Sequence, residues 1–212
     1  PFIATGVDYK KMKTDVRLNG KTLHSFDTGN MLFTPGEVIA EISRYNTLSP
    51  GDVVWLGTDE VPINQYRVIR DLMRTLDTDE VIITHDSGSP RKQLLPFWQT
   101  TKAGSYMGWG KSTQLGYGLG LAMGAKMAAP DRLCVNIMGD ASFGMTGMDI
   151  ETAARNRIGI LTVVFNNGIM AGERSSMPLS IEKYDSANLT GNYADVAKGL
   201  GLWSMRISKP DE

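Results

Sequence analysis

One cysteine and two histidines in 212 residues leave little material for a disulfide framework or a His/Cys metal cluster. Cys134 cannot pair within the chain, and in the apolar run "RLCVNIM" it reads as a buried, unreactive thiol. With no disulfide to form, a cytoplasmic location is expected. An excess of either charge is also lacking. The 22 Lys and Arg stand against 23 Asp and Glu, so there is no basic field to neutralise nucleic-acid phosphates, and no nucleic-acid partner is expected. No apolar run approaches the ~20 residues that span a bilayer, and no charged, apolar, small-residue leader opens the chain, so no membrane partner is expected. The chain starts at Pro1 and stops at "ISKPDE" without a closing helix or strand, from which a fragment at both ends is expected.

What is present is enough apolar material, 42% of the residues, to bury a core, in two halves of different pattern. Residues 1–58 read as β-rich. In "DVRLNGKTLHSF" the pair Asn19-Gly20 stands between two short candidate strands and signals a hairpin. Thr34, Pro35 and Glu37 then form a helix start with an N-cap, a proline in the first turn and a capping glutamate. Val38, Ile39 and Ile42 share one face of that helix, and "LSPGDVVWLGT" follows as a turn and a short strand.

From about residue 62 helices and strands alternate. "NQYRVIRDLMRTL" is helical in its apolar spacing, and "EVIITHD" is a buried-strand run. "TQLGYGLGLAMGAKMAAP" reads as a small-residue helix closed by Pro130. The order then runs "RLCVNIMGD" (strand), "GMTGMDIETAARNRI" (helix), "GILTVVFNNG" (strand), a long polar loop, "YADVAKGLG" (helix) and "LWSMRI" (strand). The alternation predicts an α/β fold, a parallel sheet flanked by helices, preceded by a small β-rich piece with one helix. The expected division is 1–58 and 62–212. In such sheets ligands bind beyond the carboxyl ends of the strands.

That rule brings Asp140 and Asn167 together. Each follows a candidate strand, and the helix between them is the crossover, so parallel pairing returns both side chains to one sheet edge. A carboxylate, an amide oxygen and a nearby backbone carbonyl form a hard-oxygen set suited to Mg²⁺, which completes its shell with water and ligand phosphate. Gly139, Ala141, Ser142 and Gly144 are small enough for backbone to approach that phosphate, beside a helix N-terminus. Taken singly, "GD" at a strand end and "NNG" are ordinary turn chemistry. Their joint placement in one βαβ unit favours a metal-bridged diphosphate.

The same stretch resembles the thiamine diphosphate motif, written GDG, a gap, then NN. The resemblance runs from about Val61 to Glu212 and is nearest to the C-terminal cofactor domain of the acetolactate synthase-like group. It implies Mg²⁺ held by Asp140, Asn167 and the carbonyl of Ile169, with Gly139 and Ala141 in the motif turn, Ala141 replacing the third motif position. It implies Ser142 as a diphosphate contact, and Gly88 and Ser89 of "HDSGSP" as contacts from a first diphosphate loop. By the same resemblance the carbonyl of Thr113 receives the aminopyrimidine amino group and Leu115 bends the cofactor, against the plainer reading of Leu115 as a core leucine. His85 reads as a strand-end side chain bonded locally, and Glu173 and Arg174 as solvated charges on a mobile active-site loop over 168–191. The implied function is 2-oxo acid decarboxylation or carboligation. The activating glutamate would lie on a pyrimidine-binding domain of a partner subunit in a homo-oligomeric parent enzyme, so no turnover is expected of these residues alone.

The first half is similar to the C-terminal part of the fumarylacetoacetate hydrolase family. Asn19, Gly20, Met31, Phe33, Ile39, Ala40, Thr47, Leu48, Pro50, Gly51, Asp52, Val53, Gly57 and Thr58 stand at matching positions. That family's metal-binding carboxylates would lie upstream of Pro1, and only Thr58 looks like a substrate-facing residue. The two resemblances imply pieces of unrelated enzymes joined near residues 57–62, as in a chimeric or truncated gene. Two other readings remain: a hydrolase or decarboxylase fragment of the second family, and a non-catalytic module that keeps the diphosphate site.

Overall fold

The computed structural model describes residues 8, 11, 13–18, 20–27, 63–108, 114–174, 176–209 and 212. Contacts divide the chain into one unit of residues 1–71 with 207–212 and a second of 72–206. In the first, β1 (Lys13–Leu18) and β2 (Lys21–Asp27) form an antiparallel hairpin. Leu18 lies opposite Lys21, leaving the expected two-residue loop. Gly20 has φ 79°, the left-handed conformation that such loops require. The helix expected after Thr34, the strand expected before Thr58, and Thr58 itself lie outside the described residues. Helix α1 (Gln65–Thr75) crosses the division between Asp71 and Leu72.

The second unit is built on a four-stranded sheet in the order β4-β3-β5-β6, made of β3 (Ile82–His85), β4 (Tyr106–Met107), β5 (Cys134–Gly139) and β6 (Ile160–Phe165). Every pairing is parallel. Helix α2 (Ser89–Leu94), β4 and α3 (Tyr117–Ala128) lie between β3 and β5 in the chain. The β5–β6 crossover is α4 (Asp140–Thr146), a 3₁₀ turn (Gly147–Asp149) and α5 (Ile150–Arg155). The single helix expected over this crossover therefore starts earlier, at Asp140, and is broken at Gly147. A Cβ at Gly147 would come within 2.6 Å of the Phe143 ring, so the tighter turn relies on a residue without one.

Residues Cys134–Met138 of β5 are all buried, as a central parallel strand requires. Met138 packs with Leu119, Phe143 and Ile150, while Cys134 packs with Ile82 and Ala125. Burial pushes the Cys134 thiol up, which keeps it protonated. Helix α3 lies close on the sheet because Gly118 has no side chain: a Cβ there would meet Asn136 Oδ1 at 2.7 Å and the His85 carbonyl oxygen at 2.8 Å. The buried Thr84 hydroxyl lies 3.0 Å from the Gly118 carbonyl and 3.1 Å from Asn136 Oδ1.

At the amino ends of the strands, Arg132 joins three entries. Its Nε donates to the Glu80 carbonyl (2.8 Å), and its Nη2 to the Asp79 carbonyl (2.9 Å) and Ser105 Oγ (2.6 Å). The Asp79 carboxylate accepts from the Thr100 and Thr101 hydroxyls and the Thr101 N–H, which holds its pKa well below the usual carboxylate range.

Two expectations are corrected. Residues 202–207 do not form a strand. Leu202 packs against the Met138 cluster while Trp203, Met205, Arg206 and Ile207 are exposed, so the alternation of a strand holds only through Met205. What is missing is a ladder partner, since β6 pairs with β5 alone among the described strands. The segment expected as a long loop over 168–191 instead contains a 3₁₀ turn (Ala171–Arg174), helix α6 (Pro178–Tyr184) and an antiparallel bridge between Ile169 and Asn188. Pro178 supplies the first-turn φ of α6, and Asp185 at φ 52° ends it. Helix α7 (Tyr193–Gly199) follows as expected.

Two glycines on α3 should respond oppositely. Gly118→Ala should lower stability by about 1–3 kcal/mol through overpacking. Gly120→Ala, whose Cβ would meet nothing within 4 Å, should gain about 0.5–1 kcal/mol of helix propensity. Urea unfolding followed by circular dichroism measures both, and equal effects would contradict the packing described for Gly118.

Candidate functional site

Parallel pairing puts the exits of β3, β5 and β6 at one edge: His85 is in register with Ile137, and Gly139 with Phe165. Three loops and the start of α3 meet there. Asp140 opens α4 and is only 3% exposed. Its Oδ1 accepts the Ala141 N–H at 2.8 Å, and its Oδ2 accepts the Gly168 N–H, from the loop after β6, at 2.7 Å. Gly168 is left-handed, at φ 70°. Asn167 Oδ1 accepts the Ile169 N–H at 3.1 Å.

The Ile169–Asn188 bridge is made by the bonds Leu189 N–H to Gly168 carbonyl (2.9 Å) and Met170 N–H to Ala187 carbonyl (2.8 Å). In this pattern the bridged residue turns its own N–H and carbonyl away from the paired segment. The Ile169 carbonyl therefore faces the side on which its N–H meets Asn167. A carboxylate, an amide oxygen and a carbonyl are thus assembled on two consecutive loops. Each oxygen that accepts one N–H retains a second lone pair, so the set can still bind a hard cation. Among the described residues no group of three or more His, Cys, Asp or Glu could hold a metal ion.

Beside this set, Ser142 Oγ is buried and has no hydrogen-bond partner among the described residues. A Cβ at Gly144 would touch nothing within 4 Å, and one at Gly139 only Pro90, at 3.8 Å. The protein's own packing requires glycine at neither position, and an approaching ligand would. An orphaned buried hydroxyl, open backbone and hard-oxygen donors fit a metal-bound diphosphate.

On the β3 side, Gly88 caps α2 at φ 83°, ψ −142°, a conformation nearly confined to glycine. Ser89 is the first residue of α2 and is half-buried. Leu115 is half-buried in the turn before α3, whose cap Gly116 has φ 95°; Thr113 lies outside the described residues. Glu173 and Arg174 fall in the 3₁₀ turn after β6.

Two residues that sequence reading passed over matter here. Asp86 is completely buried and accepts the N–H groups of Ser87 (2.9 Å) and Gly116 (2.7 Å) on Oδ1. Its Oδ2 has no partner among the described residues. Thr146, at the end of α4, places its hydroxyl 3.2 Å from the Gly116 carbonyl. An aspartate directly after a buried strand run was the available signal for the first; nothing marked the second.

His85 is 2% exposed, with Nδ1 3.2 Å from the Asp86 carbonyl. Because a carbonyl only accepts, Nδ1 carries the proton. Its ring contacts those of Tyr106 (5.4 Å) and Tyr117 (6.5 Å). Burial lowers the His85 pKa and raises that of Tyr106.

Residues 86–212 match the family model described as thiamine pyrophosphate enzyme, C-terminal TPP binding domain. The chain belongs to this family. Thiamine pyrophosphate is thiamine diphosphate, so the cofactor implied by the sequence is that of the family. Residues 1–87 match a second model, fumarylacetoacetate (FAA) hydrolase C-terminal. Relatives include a probable acetolactate synthase large subunit of Methanococcus aeolicus, 26% identical over 81% of this chain and 30% of that protein. A 2-hydroxyacyl-CoA lyase of Arabidopsis thaliana is 32% identical over 75% of this chain and 30% of that protein. The chain therefore spans under a third of the length of these thiamine diphosphate family relatives. A thiamine diphosphate-dependent 4-hydroxybenzoylformate decarboxylase from Rhodococcus jostii RHA1 superposes with a TM-score of 0.64 at 23% identity, covering 82% of this chain and 34% of that one. That likeness supports the shared fold.

A histidine whose pKa falls on folding binds fewer protons native than unfolded below its ordinary value of 6.5. Stability should therefore fall as pH drops from 7 towards 5.5. In a His85→Gln variant that dependence should flatten. Urea midpoints at pH 7.5, 6.5 and 5.5 measure it, and an unchanged slope in the variant would assign the effect elsewhere.

Proposed function

We propose that this domain serves a 2-oxo acid decarboxylase or carboligase, and that Asp140, Asn167 and the Ile169 carbonyl hold Mg²⁺ against the diphosphate of thiamine diphosphate. The observation that carries the assignment is the 2.7 Å bond from Gly168 N–H to Asp140 Oδ2, which brings the two ligand loops to one point before any cation arrives. Ser142 offers its unpartnered hydroxyl to a phosphate oxygen. Gly88 and Ser89 approach from the first loop, while Gly139 and Ala141 leave room for the diphosphate over the backbone. Leu115 would support the rings of the cofactor, and the Thr113 carbonyl would serve as an acceptor for its amino group.

When bound, the cofactor supplies the carbon nucleophile and electron sink that decarboxylation of a 2-oxo acid needs. These residues would bind and orient it, with the entropic advantage of a fixed position. The proposal includes a pyrimidine-binding domain on a partner subunit, which brings the activating glutamate, a homo-oligomeric parent enzyme, and the cytoplasmic location expected from the sequence.

Calorimetric titration of the 212-residue chain should show saturable binding of thiamine diphosphate that requires Mg²⁺ and is lost on chelation. Asp140→Ala should weaken it by at least about tenfold, as expected for loss of a metal ligand or its support. Unchanged binding in that variant would reject the metal assignment. Turnover of a 2-oxo acid should be undetectable with the chain alone and should appear when a separately made pyrimidine-binding domain is added. Turnover by the chain alone would contradict the division of labour proposed.

A further inference from the structure

We propose that Asp86 is a positioning residue for the cofactor: through the Gly116 N–H it holds the Leu115–Gly116 turn in the shape that meets the rings of thiamine diphosphate. The inference rests on the reading of the site above and adds to it a residue that touches neither metal nor diphosphate in that reading.

Gly116, the residue that follows Leu115, is held at both its N–H and its carbonyl. Asp86 Oδ1 accepts the Gly116 N–H at 2.7 Å. The Thr146 hydroxyl lies 3.2 Å from the Gly116 carbonyl. The grip leaves no slack, because a Cβ on Gly116 would come within 2.2 Å of Thr146 Cγ2. At φ 95° this position needs glycine in any case.

The two anchors belong to different parts of the site. Asp86 directly follows β3, on the loop that carries Gly88 and Ser89. Thr146 ends the helix that Asp140 opens. The turn bearing Leu115 is therefore tied to both proposed diphosphate loops at once, by side chains that need not contact the ligand.

The cost of this arrangement argues for a role beyond packing. Asp86 is 0% exposed and its Oδ2 has no partner among the described residues, and a buried polar group left partly unpaired is costly. Fixing a turn in its bound shape lowers the ordering cost of binding. That benefit falls on the portion of the ligand the turn meets, and not on the diphosphate.

The test compares two ligands on the 212-residue chain in excess Mg²⁺: thiamine diphosphate and inorganic pyrophosphate. Asp86→Ala should weaken thiamine diphosphate by about tenfold or more and pyrophosphate by less than about twofold, and Asp86→Asn should recover most of the loss. In a Leu115→Ala background the Asp86→Ala loss should largely vanish, since a residue acting through Leu115 has nothing left to position. If Asp86→Ala does not fold by circular dichroism, Thr146→Val, which removes the opposite anchor, carries the same comparison and the same cycle with Leu115→Ala. Equal weakening of both ligands, or losses that add fully with Leu115→Ala, would overturn the inference while leaving the site reading intact. Wild-type chain that binds neither ligand would overturn the site reading and the inference together.

Discussion

The Gly168 N–H to Asp140 Oδ2 bond carries more consequences than its length suggests. It closes the loop after β6 onto the helix after β5, and it is possible only because β5 and β6 run parallel in full register from Cys134–Ile160 to Gly139–Phe165. A slip of one residue would turn every β5 side chain to the opposite face and carry Asp140 away from Gly168. The buried strand, the α4–α5 crossover and the left-handed Gly168 are all conditions of that one contact. Burying a carboxylate this far is costly unless it is bonded, and Asp140 meets the cost with one N–H from its own helix and one from the neighbouring loop. A cation arriving there meets oxygens already oriented by those bonds.

Much of this was legible in the sequence, for identifiable reasons. The hairpin at Asn19-Gly20 followed from a two-residue turn that only a few residue pairs allow. The β5–crossover–β6 unit followed from a short apolar run, a helical repeat and a second apolar run, and from them the closeness of Asp140 to the loop after β6. Less legible were features decided by long-range partners. Tyr106–Met107 is a strand because Ile83 and Thr84 lie beside it, and no two-residue run declares that alone. Residues 202–205 alternate in burial as a strand should and still lack a ladder, because alternation records which face is buried and says nothing about who donates hydrogen bonds. Asp86 was hidden by its neighbours: in "HDSGSP" the glycine and serines carry the familiar phosphate-loop signal, while the aspartate's role depends on Gly116, far along the chain.

The two edges of the sheet differ in how their polar groups are satisfied. At the amino edge, Asp79, Ser105 and Arg132 bond to one another's backbone or side chains and to Thr100 and Thr101. At the carboxyl edge, Asp86 Oδ2 and Ser142 Oγ are buried without partners among the described residues, at a cost of about 1–3 kcal/mol for each such group. Residual capacity of this kind destabilises the free chain, and at Ser142 a phosphate oxygen would recover it. Binding and stability are then linked at this edge: a ligand that bonds the Ser142 hydroxyl adds to the folding free energy by mass action.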